Sequence, residues 1–198
     1  MMGQLEFLLQ AIDLKDLARK GWELRGVEAP EKVASHSWGV TLLTMRFVAE
    51  TELDELRAMK MAVIHDLAEA EAGDRAIGEV YQEVSQEQKV TEEVEAWDNF
   101  EEIGDIGNWR ELWEEFENET STEAEFVADM DLLDMCLTAL KYERQQRYDS
   151  SKNTDDYDHL DGFFATADKK IRTEIGREIY ESIRTEYQEA KRQNSSDT

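Results

Sequence analysis

The apolar residues of this chain recur with a helical period over nearly its whole length, and no alternating run is long enough to defend as a strand. A single Pro and 10 Gly in 198 residues leave few of the tight turns that an all-β domain needs. The predicted fold class is all-α. A first helix is expected from Gln4 to Arg19 and a second after Pro30 to Glu50, with Val33, Val40, Leu43 and Phe47 on one stripe. A third fits Asp54 to Glu71, carrying Leu56, Met59, Ala62, Val63 and Leu67 before Gly73 stops it. A fourth, strongly acidic helix spans Gln82 to Ile103, and Gly104 with Gly107 separates it from a short one at Trp109 to Glu117. Thr122 with Glu125 three residues on suggests a capping box for a long helix reaching Arg147. Ser150 to Asp158 is expected to be a loop, followed by a last helix. No repeat or linker divides the chain, so one domain is expected over residues 1–192, with 193–198 as a disordered C-terminal tail.

Charge narrows the partners. Against 22 Lys and Arg stand 47 Asp and Glu, a formal net charge of −25. A disordered acidic tail would lack aromatics, whereas 5 Trp, 6 Tyr and 7 Phe are spread along the chain. The acids are interspersed with apolar residues, the pattern of a solvated, halophile-type surface. Such a surface repels nucleic acid polymers and anionic membranes. A small anion is still admissible, because at about 1 M salt the Debye length falls to about 3 Å and local basic groups dominate. No apolar run approaches the roughly 18 residues of a membrane span, and MMGQLEF resembles no signal peptide, so a soluble, cytoplasmic protein is expected. Cys136 is the only cysteine, which excludes an intrachain disulfide or a thiolate metal cluster.

Only three histidines are present, His36, His65 and His159. His65 and Asp66 sit in MAVIHDLAEAEAGD, where Met61, Val63, Ile64 and Leu67 mark burial. Buried ionisable groups need partners, and a divalent cation satisfies an imidazole and a carboxylate together. His36 lies on the core side of its helix between Val33 and Val40. Asp131 shows the same anomaly between Val127 and Met135. Each alone is as well explained by an ordinary core hydrogen bond, but together they bring two imidazoles and two carboxylates from three helices. That donor set, with no thiolate, suits Mn, Co, Fe, Ni or Zn. Asp129 and Asp134 compete for the place of Asp131, and His159 is expected to be exposed.

The order of these residues resembles that of the HD-domain phosphohydrolases, and specifically their 5′-deoxynucleotidase branch. Four segments carry the resemblance: RKGWELRGVEAPEKVASHSW (19–38), MAVIHDLAEAEAGD (61–74), AEFVADMDLLDMCLTALKYE (124–143) and HLDGFFATADKKIRTEIG (159–176). It implies a single helical HD-domain bundle with the metal site between helices, in which His36, His65, Asp66 and Asp131 bind one divalent transition metal. It also implies that Glu69 and Asp74 act at the reacting phosphate, that Arg19 and Trp22 shape the nucleotide site, and that the protein is a homodimer. The implied activity is removal of the 5′-phosphate from deoxyribonucleoside monophosphates. Hydrolysis of another phosphate ester, such as a guanosine polyphosphate alarmone, is the alternative, followed by a non-catalytic HD helical module. Ile175, Ile179 and Ile183 on the final helix are expected to serve either the dimer interface or the core. The sequence departs from the branch in its surface acidity and in the acidic stretch 92–102, which leaves open what forms that wall of the pocket.

Overall fold

The computed structural model describes residues 2–75, 85–153 and 157–196. Among these residues there are ten α-helices and no strand, only two isolated bridges, Ala18 to Lys32 and Val27 to Tyr148. The helices are α1 (Met2–Ala11), α2 (Lys20–Glu23), α3 (Val33–Phe47), α4 (Glu55–Ile64), α5 (Glu69–Ala72), α6 (Gln86–Ile103), α7 (Trp109–Glu117), α8 (Thr122–Arg144), α9 (Asp161–Lys170) and α10 (Glu174–Ser196). The long helix α8 is the axis of the bundle and packs against α3, α4, α7, α9 and α10. Phe126, Val127, Met130, Leu133, Cys136 and Ala139 along it are all buried. Each large apolar side chain so buried contributes about 1.5–3 kcal/mol.

Several boundaries differ from the periodic reading, each for a local reason. The first helix ends at Ala11 and tightens into a 3₁₀ turn at Ile12–Lys15, after which the chain is extended enough for Arg19 N–H to donate to Glu31 O. The third stops at Ile64. From His65 to Ala68 the backbone closes i to i+3 bonds such as Leu67 N–H to Ile64 O, and α5 restarts at Glu69. Gly73, at φ +80°, then ends α5 in a conformation that a side chain would strain. The cap of α8 is Ser121, one residue before the expected Thr122, and its side chain accepts Ala124 N–H. The reciprocal capping box lies instead at Ser85 and Gln88, opening α6; the expected start at Gln82 lies outside the described residues.

The last predicted helix is two. Asp129 of α8 accepts the backbone N–H groups of Arg172 and Thr173 together with the Thr173 hydroxyl, and so fixes the break between α9 and α10. Helix α10 continues past Gln193, where the composition predicts a tail, to Ser196. Ile183 of that helix is buried, while Ile175 and Ile179 pack on the core, so this stripe serves the interior. No described helix is long and apolar enough to cross a membrane.

Candidate metal centre and adjoining cavity

His36 comes from the first turn of α3, His65 from the residue that caps the C-terminus of α4, and Asp131 from the middle of α8. Three remote segments therefore converge. The His65 Nδ1 lies 2.9 Å from the carbonyl oxygen of Ala62, and the His36 Nδ1 lies 2.8 Å from Asp134 Oδ2. An imidazole whose Nδ1–H is held by such an acceptor presents Nε2 as its free donor atom. The two Nε2 atoms are 3.4 Å apart. Asp66 Oδ2 lies 3.2 Å from His65 Nε2 and 3.6 Å from His36 Nε2, and Asp131 Oδ1 lies 3.0 Å from His36 Nε2.

These donors fit a divalent ion. The Asp131 Oδ1 atom is buried without an aligned hydrogen-bond donor, the kind of orphan that a cation satisfies. Ligand atoms of His36, His65 and Asp131 all fall within 4.8 Å of one another. Electrostatics makes the same demand for positive charge at this point. Burial and the Arg19 guanidinium oppose charging of His36, yet the Asp131 and Asp134 carboxylates raise its pKa to about 10. Burial likewise opposes ionisation of Asp66, but His65, Arg19 and His36 outweigh it and hold the carboxyl well below its usual range.

The three candidate acids of α8 have separate tasks. Asp131 faces the imidazole Nε2 atoms, Asp134 orients His36, and Asp129 caps the α9–α10 break. Only Gly39 allows the Asp134 contact, since a Cβ there would overlap the Asp134 carboxylate.

Beside the imidazoles opens a cavity of about 500 Å³, inside the range usual for small-molecule sites. Arg19, Trp22, His65, Asp66, Glu69, Asp74 and Asp131 line it, so seven of the eight expected site residues meet there, and His36 is buried immediately behind. Arg19 Nη1 donates to Asp66 Oδ2 at 3.1 Å. Asp74 Oδ2 accepts Lys20 N–H at 2.6 Å, tying the end of α5 to the segment that carries Arg19. Glu69 is 3% exposed, and its Oε2 has no hydrogen-bond partner. Burial first, then the charges of Asp66 and Asp74, push its carboxyl well above the usual range. Trp22 is 1% exposed. Its indole stacks on Phe163 at 3.9 Å between centroids, meets Tyr142 edge-on and donates to Glu31 Oε1, so its place is in the packed wall of the cavity.

Some of the wall was not anticipated. Phe163 carries the Arg25 guanidinium 4.2 Å from its ring centroid, and Lys89 and Glu117 enter from α6 and α7. Lys89 had a signal, being the one basic residue in the acidic sequence of α6. His159, expected to be exposed, is instead partly buried. Its Nδ1 lies 3.0 Å from Oε1 of the fully buried Glu143, away from the cavity.

The sequence model of the HD domain matches residues 11–172. The chain belongs to the HD-domain family. This HD protein is 32% identical over 163 residues to human 5′-deoxynucleotidase HDDC2, covering 81% of this chain and 78% of the human one. Mouse 5′-deoxynucleotidase HDDC2 is 35% identical over 144 residues, 71% of this chain and 70% of the mouse protein. Among solved structures, a protein from Pyrococcus horikoshii OT3 superposes with a TM-score of 0.72 at 29% identity, covering 93% of this chain and 99% of its own. The HD domain implies a divalent metal, and the His36, His65 and Asp131 group can hold one.

Proposed function

We propose that this HD protein is a metal-dependent 5′-nucleotidase that removes the 5′-phosphate from deoxyribonucleoside monophosphates in the cytoplasm. The observation that carries the reading is the pair of oriented Nε2 atoms with Asp131 Oδ1 3.0 Å from one of them, at the edge of a cavity that also holds Arg19 and buried Glu69. The similarity to relatives named 5′-deoxynucleotidase supports the substrate class.

In this reading His36, His65, Asp66 and Asp131 hold one divalent transition ion of the Mn, Co, Fe, Ni or Zn group. A bound ion supplies a Lewis acid that polarises a phosphoryl oxygen and makes a water easier to deprotonate. Arg19, aligned by its bond to Asp66, offers further guanidinium N–H groups to the phosphate dianion. Glu69 orients or deprotonates the attacking water, or protonates the departing 5′-oxygen. Asp74 works beside it at the reacting phosphate and keeps the Arg19 segment in place. Trp22 acts from the wall, setting the position of Phe163 at the nucleotide. Phosphate release from a panel of deoxynucleoside monophosphates, ribonucleotides and guanosine polyphosphate, with Mn or Co added, tests the proposal. With pyrophosphate measured beside phosphate, release of either from the polyphosphate alone would favour an alarmone hydrolase, and release from none would leave a non-catalytic helical module.

The protein is proposed to act as a homodimer through the outer faces of α3 and α4. Trp38, Leu42 and Met45 form an exposed stripe on α3, whose sequence contains no acidic residue in a chain with 47, and Leu56 and Val63 are exposed on α4, which packs beside it. A second copy is the occupant that this face suits: the acid-free α3 strip in an acidic coat lets two equally charged chains meet with little repulsion. Trp38→Glu is expected to convert a dimer to a monomer in sedimentation, with the helical circular dichroism unchanged. An unchanged mass would remove this face from the interface.

The acidic surface is proposed to be a halophilic adaptation. Screening of self-repulsion should raise the melting temperature between about 0.1 M and 2 M KCl. A flat or falling melting temperature over that interval would overturn the adaptation and leave the nucleotidase reading intact.

A further inference from the structure

The acidic helix α6 packs against α5, the short helix that begins with Glu69, and it sends one cation into the cavity. Lys89 Nζ lies 3.2 Å from Glu93 Oε1, one turn along its own helix, and 3.8 Å from Glu69 Oε1. All three side chains are largely withdrawn from water, Lys89 at 22%, Glu93 at 5% and Glu69 at 3% exposure. Lys89 is the one cation within ion-pair reach of Glu69 among the described residues. Each glutamate turns one oxygen to the ammonium, while the Oε2 atoms of both lack hydrogen-bond partners. A surface ion pair between Lys89 and Glu93 would need none of this burial. The ammonium bridges the acidic wall of α6 to the carboxylate that the proposed chemistry uses.

We propose that Lys89 is a positioning residue for Glu69: anchored by Glu93, its ammonium fixes one Glu69 oxygen so that the other is presented to the reacting water and phosphate. The inference rests on the nucleotidase reading and adds to it the contribution of the α6 wall. A flexible lysine suits this task, because its point charge can hold a carboxylate without dictating a planar, bidentate geometry. Arg19 first and then Lys89 oppose the upward push that burial, Asp66 and Asp74 exert on the Glu69 carboxyl, and of these two cations Lys89 is the one within ion-pair reach of it.

The test compares Lys89→Met, Lys89→Arg, Glu69→Gln and the double variant Glu69→Gln/Lys89→Met, in the full chain. With a deoxynucleoside monophosphate and Mn, Lys89→Met should lower kcat by roughly 10–100-fold, the usual worth of an outer partner, and leave KM and metal content near those of the parent. Lys89→Arg should recover most of the loss, and Lys89→Met should cost nothing further in the Glu69→Gln background. A raised KM with unchanged kcat would overturn the inference in favour of a direct phosphate contact. So would an equal loss of kcat in both backgrounds. Thermal melting of the metal-free proteins checks the contact without turnover. Lys89→Met should lower Tm by leaving Glu69 and Glu93 facing each other, and adding Glu69→Gln should restore part of the loss. Strictly additive Tm changes would overturn the contact. A parent that releases no phosphate would overturn the nucleotidase reading and the catalytic role of Lys89 with it, whereas an active parent matched by Lys89→Met would overturn the Lys89 role alone.

Discussion

His65→Ala is expected to lose its bound metal and its activity together. The substitution removes one of two imidazoles whose Nε2 atoms lie 3.4 Å apart, and it leaves Asp66 and Asp131 beside a single imidazole. A neutral imidazole donor is lost from a four-donor set, so the three that remain hold a cation less well. The loss should exceed the roughly 10–100-fold in metal affinity that removal of an outer hydrogen-bond partner costs. Metal per chain after loading with Mn or Co and desalting, measured beside phosphate release, checks this. Equal metal in mutant and parent would show that His65 is not a ligand.

Glu69→Gln is expected to separate chemistry from binding. Glutamine has nearly the same shape, so a side chain that is 3% exposed can be replaced without opening a cavity. What it cannot do is accept or deliver the proton. Turnover should therefore fall by roughly 10²–10⁴, the usual worth of a general acid–base group, with metal content and deoxynucleotide binding retained. Burial first, then Asp66 and Asp74, push the Glu69 carboxyl well above its usual range, which favours a group that holds its proton more readily than an exposed glutamate. Loss of metal in this variant would place Glu69 among the ligands, and unchanged turnover would remove it from the reaction.

The residues of the centre were visible in the sequence because each breaks a pattern. His36 lies between apolar neighbours on α3, Asp131 does so on α8, and His65 with Asp66 closes an apolar helix. Their separate tasks were not visible. Asp131 and Asp134 stand three residues apart on one helix, so periodicity puts both near the same side; which one meets Nε2 and which Nδ1 depends on how closely α3 approaches at Gly39. Asp129 looked like a third competitor until the break at Ile171 brought two backbone N–H groups to it. The interruption of the third helix was hidden for a different reason. Apolar spacing runs on through His65 to Ala68, and the tightened i to i+3 turn keeps those side chains buried.

The all-α class, the strong net acidity and the chemical kinds of donor available are legible without any structure, because periodicity, net charge and residue inventory are properties of neighbours and sums along the chain. Tertiary structure alone decided how those donors meet. His36 and His65 are 29 residues apart, and His36 and Asp134 are 98 apart, so their contacts exist only where α3, α4 and α8 pack. The same packing sealed Trp22 into a stack with Phe163, drew His159 onto buried Glu143 and turned the single lysine of an acidic helix toward Glu69. A side chain's partner across the core is set by the approach of helices remote in sequence, and no local pattern encodes that approach.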